Sequence, residues 1–78
     1  MTEHIFITVR EELSLSQRQL GEALGIESKA AQSRVSNYEN GIREIPRDIA
    51  YTFIDYAAKN GITVTLEQVF PRNKENAA

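Results

Sequence analysis

The sequence predicts a single all-α domain of five helices, and three observations indicate it. Apolar residues recur every three or four positions along most of the chain, which is the period of a helix with one buried face. Serine, threonine and proline stand where helices would begin, and glycines stand where they would end. The 78 residues have room for one hydrophobic core, since a domain usually holds about 100–150 residues.

The first segment, residues 5–13, fits two kinds of element. Ile5, Ile7 and Val9 alternate and are β-branched, which favours a strand. Phe6, Val9 and Leu13 recur at helical spacing instead, and good helix formers precede Leu13. We predict a helix, because the next segment needs a helix to pack against.

The second helix has the clearest start in the chain. The Ser16 hydroxyl can accept a hydrogen bond at the helix start, and Gln19 can reach back to the backbone, which is the pattern of a capping box. Gly25 can adopt the left-handed backbone conformation that ends a helix. The predicted buried stripe consists of Leu20, Ala23 and Leu24.

A third helix is predicted to begin with a Ser28 cap and to end at residue 39 or 40, before Gly41. A spacing of 100° per residue places Ala31, Val35 and Tyr38 on one buried face. The opposite side and its flanks carry hydrogen-bonding side chains, namely Lys29, Gln32, Ser33, Arg34, Ser36 and Asn37. Most of these are short and uncharged, whereas a helix face that only meets water relies on Glu and Lys.

Two more helices follow a short connector. Pro46 suits the first position of a long helix, which asparagine and glycine end at residues 60 and 61. Its apolar residues recur at helical spacing at Ile49, Phe53, Ile54 and Ala57. Residues 62–66 could form a short strand, but we prefer a last helix with a Thr65 cap. That helix would bury Leu66, Val69 and Phe70.

Composition bounds the class of protein. The chain has no cysteine, which excludes disulfides and thiolate metal sites, and its apolar runs are far shorter than the roughly 20 residues that cross a membrane. The first residues lack the features of a signal peptide, so a cytoplasmic protein without membrane association is expected. We expect one domain over residues 1–71, closed by Pro71, and a flexible tail over residues 72–78.

A catalytic role is not expected. His4 is the only imidazole, the acidic residues are scattered, and no glycine-rich phosphate loop is present, so neither a metal nor a cofactor is expected. The net charge of −2 is unevenly distributed. Residues 28–47, which include Arg43, carry four basic residues against two acidic ones. A locally positive stretch on an acidic body is the pattern of a small binding surface.

The second and third helices, joined by a tight turn at Gly25, form a helix-turn-helix, whose second helix can enter the major groove of DNA. Amide side chains can form paired hydrogen bonds with adenine, Arg and Lys can do so with guanine, and Ser can bond several bases. The polar face of the third helix supplies these groups. The alternative is an all-helical bundle whose polar face only meets water.

Four segments add a family resemblance. Residues 13–21 (LSLSQRQLG) are similar to a "glSQeeLA" motif, residues 25–26 (GI) to the turn that follows it, and residues 35–41 (VSNYENG) to a "VSryErG" ending. Residues 62–70 (ITVTLEQVF) are similar to a "gvsldeLf" close. Over roughly residues 5–70 the chain therefore resembles the lambda-repressor-like DNA-binding domains of the Cro and repressor type, the XRE family.

The resemblance implies roles for individual residues. Gln17 would contact a phosphate and help to orient the third helix, and Asn40 would touch the DNA backbone. Arg10 and Glu39 match a pair joined across the core, to which we assign a structural role. The positions that match base-contacting residues are Gln32, Ser33 and Asn37, with Ser36 beside them. The complete expected DNA-contacting set is Gln17, Lys29, Gln32, Ser33, Arg34, Ser36, Asn37, Asn40 and Arg43.

One spacing departs from the family. Gly25 and Gly41 enclose 15 residues. The excess over the usual spacing is about four residues, close to one helical turn. Either the third helix begins a turn early, at Ser28, which moves Lys29 toward the bases, or residues 27–30 extend the turn loop.

The predicted function is a sequence-specific regulator of transcription, a Cro-type repressor of phage or prophage type that binds a palindromic operator as a homodimer. The predicted dimer surface consists of Tyr51, Tyr56, Ile62, Val64 and Phe70. One alternative is the antitoxin of a toxin–antitoxin pair, with a basic toxin as protein partner. Another is the controller protein of a restriction–modification operon.

Overall fold

The computed structural model of the chain describes residues 3–70, and these residues form five helices without a strand. The helices are α1 (Ile5–Glu12), α2 (Gln17–Ala23), α3 (Ser28–Glu39), α4 (Arg47–Lys59) and α5 (Leu66–Val69). The all-α prediction is confirmed, as is the choice of helix over strand for the first and last elements. Pro71 and the predicted tail, residues 72–78, lie outside the described residues.

The core is centred on Phe6 of α1, which is completely buried. Its ring centroid lies 4.2 Å from that of Phe53 on α4 and 6.2 Å, edge to face, from that of Tyr38 on α3. Aromatic pairs at these separations add to the free energy of apolar burial. The predicted buried face of α3 is confirmed, because Ala31, Val35 and Tyr38 are buried in the folded chain. Phe6 therefore joins three of the five helices.

His4 connects the two ends of the described chain. Its Nδ1 accepts the backbone N–H of Phe6 at 3.0 Å and so caps the start of α1. Its Nε2 lies 3.0 Å from the carbonyl oxygen of Val69 at the end of α5, to which it can donate. Burial lowers the pKa of the imidazole, against the opposing effects of the Val69 carbonyl and the Glu39 carboxylate. A neutral ring satisfies both contacts.

The first four helices end in the same way. In each, the residue after the helix cap has a positive φ and the next residue donates its N–H back to a carbonyl five positions earlier, which is a Schellman motif. Glycine occupies the positive-φ position after α2, α3 and α4, and Ser14 with φ 57° occupies it after α1. The residue that follows is always apolar, namely Leu15, Ile26, Ile42 and Ile62.

Two predicted helix starts differ in detail from the structure. Ser28 does not cap α3, because it is the first helical residue and the cap residue is Glu27, which makes no side-chain cap hydrogen bond. The Ser28 hydroxyl instead donates to the Glu22 carboxylate at 2.7 Å. Pro46 is the cap of α4 and not its first residue, with an extended ψ of 148°.

Two predicted core residues are exposed. On α2 the buried residues are Leu20 and Gly21, while Ala23 is exposed, because the helix turns its Gly21 side toward α3. Phe70 is 37% exposed, since α5 is a single turn that ends one residue before it. The Thr65 cap itself is confirmed, as a capping box with Gln68.

Candidate nucleic-acid interface

The α2–α3 unit depends on a close approach between Gly21 and Ala31. A Cβ placed on Gly21 would lie 2.6 Å from the Ala31 Cβ and 2.9 Å from the Ala31 backbone, so a larger residue does not fit. Both residues are buried. The two small residues set the separation of the helices, and the left-handed Gly25 then redirects the chain between them.

The start of α2 confirms the predicted capping box. The Ser16 hydroxyl accepts the Gln19 N–H at 3.0 Å, and the Gln19 side chain accepts the Ser16 N–H at 2.8 Å. At the other end of this helix, the Glu22 carboxylate accepts both the Ser28 hydroxyl and, at 3.1 Å, the Arg18 guanidinium. These two contacts lower the pKa of Glu22, with the Ser28 bond as the larger cause. The side chain of Glu22 therefore ties α2 to the first residue of α3.

The predicted Arg10–Glu39 pair is present. The Arg10 Nε donates to Glu39 Oε2 at 2.8 Å and its Nη2 to Oε1 at 3.2 Å, which is the two-pronged geometry that guanidinium and carboxylate favour. The Glu39 side chain is 3% exposed. The hydrogen bond to Glu39 raises the pKa of Arg10, so the guanidinium stays charged. Arg10 also donates to the Leu15 carbonyl and so fixes the loop before α2.

Gln17 joins the same cluster. Its Nε2 donates to Glu39 Oε1 at 2.9 Å, and the side chain is half-buried. The Glu39 carboxylate thereby links the last turn of α3 to α1 and to the first turn of α2. This bond connects Gln17 directly to α3, the helix it is expected to orient. Its orienting role and its phosphate contact stay predictions.

The polar residues of α3 lie on the side opposite the core and on its flanks. Lys29, Gln32, Ser33 and Arg34 are exposed, and Ser36 and Asn37 are half-buried. Within residues 3–70, no side-chain hydrogen bond or ion pair engages Lys29, Gln32 or Arg34. We name these six residues the recognition face. The amide of Gln32 and the cationic groups of Lys29 and Arg34 can therefore bond a ligand, while the Ser36 hydroxyl accepts the Asn40 amide at 3.4 Å.

Two expected contacts lie past the recognition face. The Asn40 side-chain amide donates to the Ser36 carbonyl at 2.9 Å, so it closes the last turn of its own helix, and the residue is exposed. Arg43 is exposed in the connector to α4. The structure also places the start of α3 at Ser28, so the longer spacing extends the helix and not the turn loop.

Ile42, to which no sequence signal assigns a role, is the most exposed of the large apolar residues among residues 3–70, at 71%. It lies between Gly41 and Arg43, directly after the end of α3. A repeated tripeptide could have drawn attention to it, because Asn-Gly-Ile stands at the ends of both α3 and α4.

Comparison with known proteins agrees with this geometry. A protein-family model described as helix-turn-helix matches residues 7–56, which include α2, α3 and most of α1 and α4. The chain belongs to the helix-turn-helix family of the Cro/C1 type, or XRE family. Neither the curated proteins nor the solved structures gave a match.

Membership of this family makes the protein a DNA-binding regulator, and helix-turn-helix domains of this kind are typically not enzymes. α2 and α3 are the two helices of its helix-turn-helix. Each helix within residues 3–70 is too short or too polar to pass through a lipid bilayer.

Proposed function

We propose that the protein is a sequence-specific transcriptional repressor that inserts α3 into the major groove of an operator and blocks access to a promoter by occupying it. The observation that carries the proposal is the recognition face, whose six hydrogen-bonding or cationic residues lie opposite the core and on the flanks of that side. The helix that bears them is held on both sides, by Gly21 at one end and by the Glu39 cluster at the other.

The base-contacting residues are proposed from their side-chain chemistry. Gln32 and Asn37 carry amides, which can bond the N6 and N7 edge of adenine in pairs. Arg34 and Lys29 carry cations suited to guanine edges or phosphates. Because α3 begins at Ser28, Lys29 lies in its first turn, the part of a recognition helix that contacts bases. Phosphate contacts are assigned to Gln17, Asn40 and Arg43, which flank the face.

We also propose that two copies bind a palindromic site. One recognition helix contacts only a few base pairs, and two helices about 34 Å apart contact successive turns of one groove. Of the residues predicted for the dimer surface, Tyr51 and Phe70 are exposed and support it. The other three do not offer a free surface, because Val64 is buried and Tyr56 and Ile62 pack against the core. Sedimentation of the variants Tyr51→Ser and Phe70→Ser would measure their part in self-association.

Selection from a random duplex library would identify the site, and fluorescence anisotropy on the selected duplex would measure affinity. Gln32→Ala and Asn37→Ala are each expected to weaken binding by roughly tenfold or more and to relax sequence preference, because each removes a pair of base contacts. Unchanged affinity in both variants would reject the base-contacting set.

Salt dependence gives a second, independent measurement. Replacing Lys29 or Arg43 by Ala is expected to reduce the slope of log affinity against log salt by about 1, if the residue contacts a phosphate. Lys59→Ala is the matched control, since Lys59 is an exposed cation on α4 that pairs with Asp55. Equal effects of Lys29→Ala and Lys59→Ala would show that only the overall charge matters.

A further inference from the structure

The chain ends α3 and α4 with the same three residues in the same conformation. Asn40 and Asn60 each donate a side-chain N–H at 2.9 Å to the carbonyl four residues earlier. Gly41 and Gly61 each have a positive φ, 72° and 81°. The following isoleucine donates its N–H at 2.9 Å to the carbonyl five residues earlier in both cases. The two Asn-Gly-Ile helix ends can therefore be compared directly within one molecule.

The isoleucine side chains at the two ends differ in burial. Ile62 is half-buried and packs against the core, as the apolar residue after a Schellman motif usually does. Leu15 and Ile26, at the ends of α1 and α2, do the same. Ile42 is 71% exposed. The side chain of Ile42 thus contributes little to the core, although the apolar residues that follow the other three Schellman motifs do pack against it.

The connector after α3 is anchored without Ile42. Three residues later, Ile45 is only 8% exposed and belongs to the core cluster. The backbone fixes Ile42 next to the recognition face, because the N–H groups of Ile42 and Arg43 both donate to the Asn37 carbonyl, at 2.9 and 3.4 Å. Asn37 is a member of that face. Ile42 is therefore an exposed apolar residue whose backbone is held at the end of α3, next to a polar surface.

We propose that Ile42 is a specificity-determining residue that contacts the C5 methyl group of a thymine in the operator. The inference rests on the proposed function. The thymine methyl is the one apolar group that base pairs present in the major groove, and apolar side chains that touch it distinguish thymine from cytosine and uracil. Such a contact removes apolar surface of both partners from water. A DNA duplex offers a partner for each kind of group on this surface. Its phosphates and polar base edges suit the cationic and amide side chains, and a thymine methyl suits the apolar side chain of Ile42.

The test uses the duplex selected from a random library and the same duplex with single thymine-to-uracil replacements, which remove one methyl group each. Ile42→Ala is expected to weaken binding about tenfold. One uracil replacement should weaken the wild-type complex and have no further effect on Ile42→Ala, so that the two changes are not additive. Additive losses at every thymine would overturn the proposal, as would unchanged affinity of Ile42→Ala.

Ile62→Ala is the matched control, because it removes the same atoms from the same tripeptide. It is expected to lower the unfolding midpoint and to leave the affinity of the folded protein for DNA within about twofold, whereas Ile42→Ala should show the reverse pattern. If Ile42→Ala weakens self-association in the absence of DNA, Ile42 belongs to a protein interface and the proposal is overturned. If the wild-type protein enriches no sequence from the library, the proposed function itself fails. Enrichment together with normal binding by Ile42→Ala rejects the methyl contact alone.

Discussion

The carboxylate of Glu39 and the guanidinium of Arg10 form a two-pronged ion pair between the last turn of α3 and the last turn of α1, with an Nε–Oε2 distance of 2.8 Å. The Glu39 side chain is 3% exposed and also accepts the Gln17 amide. A buried carboxylate with fewer donors would be costly in free energy. This negative charge is therefore compatible with the fold only while its donors stay in place.

Arg10→Met is expected to lower the free energy of unfolding by about 3 kcal/mol, because it leaves the Glu39 carboxylate buried without a counter-charge. Urea unfolding would measure the loss. Lys59→Met is the control, since the Lys59–Asp55 pair is exposed and should contribute well under about 1 kcal/mol. The double variant Arg10→Met/Glu39→Leu should recover part of the stability. Equal losses of unfolding free energy in Arg10→Met and Lys59→Met would contradict this account of the Arg10–Glu39 pair.

Gly21→Ala is expected to destabilise the protein by about 1–2 kcal/mol, although alanine is the better helix former, because the new Cβ would overlap Ala31. Thermal unfolding would measure the change. The second-site change Ala31→Gly should restore part of the loss by removing the Cβ that lies 2.6 Å away. Ala23→Gly, at an exposed position of the same helix, reports the helix propensity separately. A stabilised Gly21→Ala protein would disprove the close approach.

Ser14→Gly is expected to stabilise the protein by about 0.5–1 kcal/mol, because Ser14 has a φ of 57° at a position where the other three Schellman motifs carry glycine. The measurement is again the free energy of unfolding in urea. Ser14→Val should have the opposite effect, since a β-branched residue resists positive φ. A loss of stability in Ser14→Gly would indicate that the serine side chain has a role of its own.

Stability is expected to fall on acidification below about pH 6.5, the ordinary pKa of histidine, because burial lowers the pKa of His4 in the folded protein. The unfolded chain then binds the proton more readily, so the contribution of neutral His4 is complete above pH 6.5 and is lost as the pH falls through the lowered value. Protonation also removes the Nδ1 acceptor that caps α1. His4→Asn should flatten the dependence of the unfolding midpoint on pH in this range. An unchanged profile in that variant would assign the dependence to the carboxylates.

Local sequence signals predicted much of this fold. The capping box at Ser16, the cap at Thr65 and the helix ends at Gly25 and Gly41 depend on residues within five positions of one another, so they can be recognised in the sequence. The Arg10–Glu39 pair spans 29 positions and came from the family resemblance, supported by the placement of Glu39 near the inward face of its helix.

The remaining features depend on distances between helices, which periodicity does not contain. Burial of Gly21 follows from the approach of Ala31, and the Ser28 hydroxyl finds Glu22 only because the turn brings α2 and α3 together. For the same reason, identical tripeptides at residues 40–42 and 60–62 gave no indication that one isoleucine would be buried and the other exposed.

The linkage of α1, α2 and α3 through one carboxylate has a consequence for induced fit. Tilting α3 would break bonds to Arg10 and Gln17 together, so in the proposed complex the helix would meet a duplex in the orientation it already has. On binding, the protein would lose conformational entropy mainly in long side chains such as Lys29 and Arg34. Any change of shape needed for a close fit would occur in the nucleic acid. Sequences that bend or twist easily at uncontacted base pairs would consequently gain affinity from their flexibility alone.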